Sequence, residues 1–192
     1  MGRFETMREI LHSSRYFKLV CGAGNENAEE VRRLAVVYTL AGANGFDVSA
    51  KPEIVSACGE GIDLAYGYAE HFKVEIPVRP YITVSVGMPG DHHVRKAFII
   101  DDCVSCDLCI PVCPTDAIPE SLEIIPELCI GCGNCEAACP PKVAAIRYRH
   151  NGTELAELLP RCLEAGAENI ELHAAVPGDD AILEEWEVVS AS

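Results

Sequence analysis

"CVSCDLCIPVCP", residues 103–114, places cysteines at 103, 106, 109 and 113 and closes on Pro114. "CIGCGNCEAACP", residues 129–140, repeats the phrase 26 residues later with Cys129, Cys132, Cys135, Cys139 and Pro140. Both obey C-x2-C-x2-C-x3-C-P, and together they use eight of the chain's 11 cysteines. Three thiolates at this spacing wrap one corner of a cubane of soft iron. The fourth, expected on the first turn of a short helix, points away and ligates the other cluster of a two-cluster pair. The pattern therefore predicts one [4Fe–4S] cluster on Cys103, Cys106, Cys109 and Cys139, and a second on Cys129, Cys132, Cys135 and Cys113. Zinc prefers two separated C-x2-C knuckles and has no use for a third cysteine at the same step. Gly131 and Gly133 fit the same chemistry, because glycine lets backbone N–H groups approach cluster sulfur.

The flanks predict a small α+β module of the bacterial two-[4Fe–4S] ferredoxin type over residues 96–149. "AFII" (97–100) and "AAIRY" (144–148) read as paired strands, and "DAI" and "LEII" around Pro119, Glu120 and Ser121 as an inner hairpin. Between Phe98 and Ile146 there are eight acids and one base, Lys142, a surface suited to a basic redox partner.

Outside the module the rhythm changes to strand and helix. "YFKLVCGAG" (16–24) reads as a strand. The helix after it carries Val31, Leu34, Ala35, Tyr38 and Ala41 on one face, starts at an Asn27/Glu30 capping box and stops at Gly42. "GFDVSA" (45–50) and "RPYITVSVGMPG" (79–90) read as strands, with a helix between them weakened by Gly59 and Gly61. After the module come a helix (152–167), a strand (169–175), a short helix (179–186) and a terminal strand, "EVVSAS". This alternation predicts a parallel sheet with right-handed crossovers. "AGANGFDVSA" (41–50) aligns without a gap to "AGAENIELHA" (165–174), so the expected class is α/β. Its parallel β/α, partial TIM-barrel-like frame spans residues 1–95 and 150–192, with the module inserted. Phe46, Val48, Ala50, Ile170, Leu172 and Ala174 should face helices. Asp47, Ser49, Glu171 and His173 should then lie on the other side with Thr83 and Ser85, as a polar layer or as a site. Five strands do not close an eight-stranded barrel.

The whole-chain balance narrows the function further. A net charge of −15 argues against nucleic acid, whose phosphates need clustered cations. The apolar stretches fall short of the roughly 20 residues of a membrane helix, so no membrane insertion is expected. The first residues lack an apolar signal-peptide core, and so many thiols suit the reducing cytoplasm. "CGAGNEN" (21–27) has the position of a phosphate loop, but Asn27 replaces the third glycine and Glu26, Glu29 and Glu30 repel an anion. Cys21, Cys58 and Cys162 read as buried packing, and His92 and His93 as a polar loop.

The order "KLVCGAGNENAEEVRRLAVVYTLAGANGFDVSA", "RPYITVSVG", the double cysteine motif and "GTELAELLPRCLEAGAENIELHA" resembles the LdpA (light-dependent-period) family of iron–sulfur proteins over about residues 16–190. The resemblance implies a β/α frame interrupted after its third strand by the two-cluster module, and a part in sensing or relaying redox state through protein partners. Two functional classes follow. One is a low-potential electron relay subunit of a larger anaerobic redox assembly, part of a complex or oligomer. The other is a redox-sensing regulator of the LdpA type. Neither needs a catalytic residue here; a catalytic barrel using Asp47, Glu171 and His173 is the remaining reading.

Overall fold

The structure, a computed structural model, describes residues 2–87, 95–150, 155–173 and 179–191. His92, His93 and Ala174 lie outside the described residues.

Four strands form one parallel sheet in the order β1 (Lys18–Val20), β2 (Gly45–Ser49), β3 (Tyr81–Gly87) and β6 (Asn169–His173). A separate antiparallel pair, β4 (Arg95–Ile99) and β5 (Ile146–His150), closes the module that interrupts the frame after β3. Helices α2 (Ala28–Leu40), α3 (Pro52–Phe72) and α5 (Leu155–Glu164) contribute Val31, Ala35, Ile54, Ile62, Leu159 and Cys162 to one core. Phe46 and Val48 of β2 and Val84 and Val86 of β3 meet them from the sheet, with Ile170 and Leu172 of β6 packed alongside. The period of two in each strand thus sorts apolar residues to the helical side, as expected.

Local chemistry sets the ends of these elements. The Glu30 N–H donates to Asn27 Oδ1 at 3.1 Å, the N-cap bond the capping box requires. Glu30 does not complete the box; its carboxylate accepts from Asn25 Nδ2 at 3.3 Å, and Asn25 Oδ1 takes the Asn27 N–H at 3.0 Å. The internal repeat is reproduced bond for bond. Ala41, Gly42 and Ala43 N–H groups donate to the Val37, Thr39 and Tyr38 carbonyls, and Ala165, Gly166 and Ala167 donate to Arg161, Leu163 and Cys162. Gly42 and Gly166 both hold positive φ, +90° and +111°, where a side chain would be strained.

Several expectations need correction. Residues 187–191 continue α6 (Asp179–Ala191), so the frame has four strands among the described residues and "EVVSAS" adds none. The β-branched Val188 and Val189 suggested a strand, but no breaker separates them from the preceding turns, and Val189 packs on the core. The inner hairpin of the module is a pair of turns rather than a ladder, joined by the Ile125 N–H to the Ala117 carbonyl at 2.9 Å. Helix α1 (Arg3–His12) was not foreseen, because it buries none of its residues. It is held through Arg3, whose guanidinium forks onto Glu168 at 2.7 and 2.6 Å and lies 3.8 Å from the Tyr81 ring centroid.

Gly61 explains itself in three dimensions: a β-carbon there would overlap the Arg32 carbonyl and lie 2.7 Å from Ala35 Cβ, so its bareness lets α2 and α3 touch. At Gly59 the nearest atom to such a carbon is Ile82 Cδ1 at 3.9 Å, an ordinary contact. Gly61→Ala should therefore destabilise the protein by about 1–3 kcal/mol through overpacking. Gly59→Ala should stabilise it by up to about 1 kcal/mol through helix propensity. Anaerobic thermal melts of the two variants, shifting in opposite directions, check the contrast.

Candidate iron–sulfur centre

None of the eight motif cysteines is tied up in a disulfide, and they divide between two cavities. Cys103, Cys106, Cys109 and Cys139 line one, together with Ile99 and Leu122. Cys113, Cys129, Cys132 and Cys135 line the other, with Ala97 and Ile118. The two enclose similar space, about 320 and 340 Å³ of non-atom volume with the open mouths included. The last cysteine of each run thus stands with the first three of the other run. Among the described residues no group of three or more His, Cys, Asp or Glu side chains closes around a single metal ion.

Backbone donors already point at sulfur. Ala97 N–H donates to Cys129 Sγ at 3.3 Å, Ala117 to Cys113 at 3.3 Å, Ala145 to Cys139 at 3.3 Å and Ser105 to Cys103 at 3.4 Å. Such bonds favour the thiolate, the form that binds iron. Burial works the other way at Cys109, whose thiol is pushed up, and at Cys135, pushed up to about 11. The donor set, the spacing and the cage shape fit [4Fe–4S] clusters, which bind through four thiolates each.

The loops carry an internal symmetry that the cysteine spacing only hinted at. Gly131 and Gly133 hold φ of +68° and +85°; 26 residues earlier Ser105 and Asp107 hold +49° and +59°. The same left-handed turns are thus imposed on both runs, with glycine in one and strained polar residues in the other. Laying the two runs over each other would have singled out Ser105 and Asp107. Asp116 (+53°) and Ala144 (+43°) likewise precede the two donors Ala117 and Ala145. One expectation fails in detail: Cys139 follows the last residue of the short helix α4 (Asn134–Ala138) as its C-cap, and it is Cys135 that sits inside the helix.

Two residues near the second cavity were missed from the sequence. Lys96 is 8% exposed, and its ammonium donates to the Cys129 carbonyl at 2.7 Å and to the Gly24 carbonyl of the frame at 2.5 Å. It pairs with Glu26 Oε1 at 3.3 Å, and Glu26 in turn pairs with Lys51 at 2.5 Å. Burial pushes the Lys96 ammonium down, opposed by Glu26. Glu26 and the Gly24 carbonyl are therefore engaged in joining frame to module, and the loop expected to be a poor phosphate site is occupied by these contacts. Arg95 stacks 3.6 Å from the Tyr148 ring centroid and donates to the Gly131 carbonyl at 3.2 Å. The hint was a pair of bases opening an otherwise acidic module.

The polar face of the frame satisfies itself. Asp47, 1% exposed, accepts from Ser85 Oγ and from Lys18 Nζ at 3.3 Å, and Lys18 also pairs with Glu171. Glu171 lies 3.7 Å from His173 Nε2. Burial pushes the Asp47 carboxyl up, against the pull of Ser85 and Lys18. The structure brings together the residues foreseen, and Lys18, two residues before Val20 on the same side of β1, supplies the cation that sequence reading omitted. Cys58 and Cys162 are buried in the core, and Cys21 packs against it with its thiol pushed up to about 12, a packing thiol rather than a reactive one. No helix among the described residues is long and apolar enough to cross a membrane.

The 4Fe-4S binding domain family matches this chain twice, at residues 97–118 and 122–143. Light dependent period A of Synechococcus elongatus is 34% identical over 182 residues, 93% of this chain and 49% of that protein. Protein NrfC of Escherichia coli is 34% identical over 90 residues, 43% of this chain and 39% of the relative. Pyruvate synthase subunit PorD of Methanothermobacter marburgensis is 45% identical over 54 residues, 28% of this chain and 67% of the relative. The chain spans about half the length of light dependent period A and less of NrfC. No solved structure matches. Two cluster-binding matches on two four-cysteine cavities mean that the chain binds two [4Fe–4S] clusters. With frame and module both aligned to the cyanobacterial protein, the chain is similar to light dependent period A over nearly its whole length and carries two matches to the 4Fe-4S binding domain family.

Proposed function

We propose that this protein is an electron-transfer subunit that works with larger redox partners in the reducing cytoplasm, its two clusters held in crossed fashion by the two cysteine runs. Bound there, the clusters supply one-electron storage at low potential, for which thiolate-only cubanes are suited. The observation that carries the reading is the exchange of Cys113 and Cys139 between the two cavities. On it, Cys103, Cys106, Cys109 and Cys139 hold one cluster and Cys129, Cys132, Cys135 and Cys113 the other. Relatives named as a pyruvate synthase subunit and as a heterodisulfide reductase subunit support membership of a redox assembly.

The chain's own residues serve this role by shape and charge. Asp101, Asp102, Asp107, Asp116, Glu120, Glu123, Glu127 and Glu136 are all exposed, a surface complementary to a basic docking face. Cys106 and Cys132 are the most exposed thiols of their runs and offer the shortest way out for an electron. Residues 1–95 and 150–192 would act as the frame and 96–149 as the carrier module. The frame itself we read as a stretch of barrel-like β/α wall, supported by the sequential order β1-β2-β3-β6 and by helices gathered on one face. A second reading, a redox-sensing regulator of the light dependent period A type, is favoured by the similarity over nearly the whole chain and by the buried Lys96 contact joining module to frame.

Anaerobic analysis should find close to eight iron and eight sulfide per chain. The crossing is tested after Cys103→Ser with Cys106→Ser has removed one cluster. Adding Cys113→Ser should then change the electron paramagnetic resonance spectrum of the survivor, and adding Cys139→Ser should leave it alone. The reverse result means that each run holds its own cluster. For the docking surface, the rate of reduction by a basic electron donor should fall steeply between about 10 and 200 mM salt, over which the screening length drops below about 10 Å. A rate indifferent to salt removes the acidic face from the docking step. Co-purification under anoxia separates the two roles, an oxidoreductase supporting relay and a signalling protein supporting the regulator.

A further inference from the structure

The two cages are alike in sulfur but not in surroundings. Down the two runs exposure follows the repeat: Cys106 and Cys132 are exposed, Cys109 and Cys135 buried, Cys113 and Cys139 half-buried. The match breaks at the first pair, where Cys103 is half-buried and Cys129 buried. Cys129 is covered because β4 grips it from two sides, by the Ala97 N–H on its sulfur and the Lys96 ammonium on its carbonyl. The residue 26 positions after Lys96 is Leu122, an apolar side chain lining the other cavity. Asp107, an acidic residue, is also among those lining that other cavity. The cations near it, Arg147 on the Ala144 and Ile146 carbonyls and Lys142, are exposed to solvent and screened.

We infer that Lys96 and Glu26 set the polarity of the cluster pair, Lys96 making the cage of Cys113, Cys129, Cys132 and Cys135 the one that accepts an electron first. The inference rests on the crossed ligand sets proposed above. Reduction adds one negative charge to a cage and makes or breaks no bond; an external one-electron donor, dithionite in the test, is oxidised in exchange. A buried ammonium at hydrogen-bond distance from a ligand's own carbonyl favours that added charge far more than a screened surface cation does. Covering Cys129 opposes reduction by removing water from one sulfur, a smaller effect than a full charge at the same ligand. Glu26 offsets part of the cation's pull while fixing its place, and its second partner, the half-buried Lys51, gives the group two cations to one anion. Lys96 is a positioning residue: it acts on the cage through the Cys129 carbonyl that its ammonium binds.

The test is an anaerobic redox titration of the full chain followed by electron paramagnetic resonance, with iron counted in every sample. The native protein should titrate in two separated one-electron steps. Lys96→Met should lower the upper step alone, shifting the exchange equilibrium between the clusters about tenfold or more, and Lys96→Arg should restore it. Glu26→Gln should move the same step the opposite way, a change of sign that a loosened interface would not give. The inference is overturned by coincident steps in the native protein, by a shift of the lower step or of both alike in Lys96→Met, or by shifts of the same sign in Lys96→Met and Glu26→Gln, each with iron still near eight. Loss of spectral response to Cys113→Ser in the one-cluster background would instead fail the crossed assignment, and so marks a different error.

Discussion

Sulfur that must face inward is the constraint on which the module depends. Its buried apolar cluster holds Ala97, Ala117, Ile118 and Ile146 alongside Cys109, Cys129 and Cys135, so nearly half of what a core should be made of is thiol. A unit of this size buries too little apolar surface to be stable by packing alone. Metal binding is then part of folding, because the ligands are gathered only in the folded chain and the binding energy counts toward stability. Short turns, left-handed residues at Ser105, Asp107, Gly131 and Gly133, and one two-stranded ribbon are what a chain can manage when the centre is reserved for something other than side chains.

The frame is built on the opposite principle. Its core is aliphatic, its helices lie on one side, and its strands carry charge on the other. Lys18, Asp47, Ser85 and Glu171 form one chain of contacts across β1, β2, β3 and β6, each neighbour supplying what the last one lacks. Removing Lys18 leaves the buried Asp47 without its cation, so the layer ties the register of four strands together without adding much net stability.

What could be read from the sequence was whatever repeats. The cysteine spacing, the two Ala-Gly-Ala stops and the period-two strands all state their geometry locally, and each reappears in the structure. What could not be read depends on a partner far along the chain. Lys96 looks like one basic residue in a strand until Gly24 and Glu26, some seventy positions away, are seen beside it. Arg3 holds α1 by reaching Glu168, and Gly61 looked like a weak spot in α3 until α2 was laid against it. The terminal segment misled for the opposite reason. Val188 and Val189 have strand-like side chains, but the helix they extend had already formed upstream.

The pairing of Arg95 with His150 across the ribbon carries an evolutionary meaning. The first and last residues of the ribbon that closes the module face each other on a single rung, about 5 Å apart at Cα. From the frame's side, more than fifty residues of carrier enter and leave through one narrow gate, much as a short loop would. Such a cassette can be acquired by, or lost from, a β/α scaffold in one genetic event, because neither host nor guest must break a strand pairing to admit the other. Where the lysine that clasps host to guest is also the charge beside a cluster, acquisition and tuning would have been fixed together.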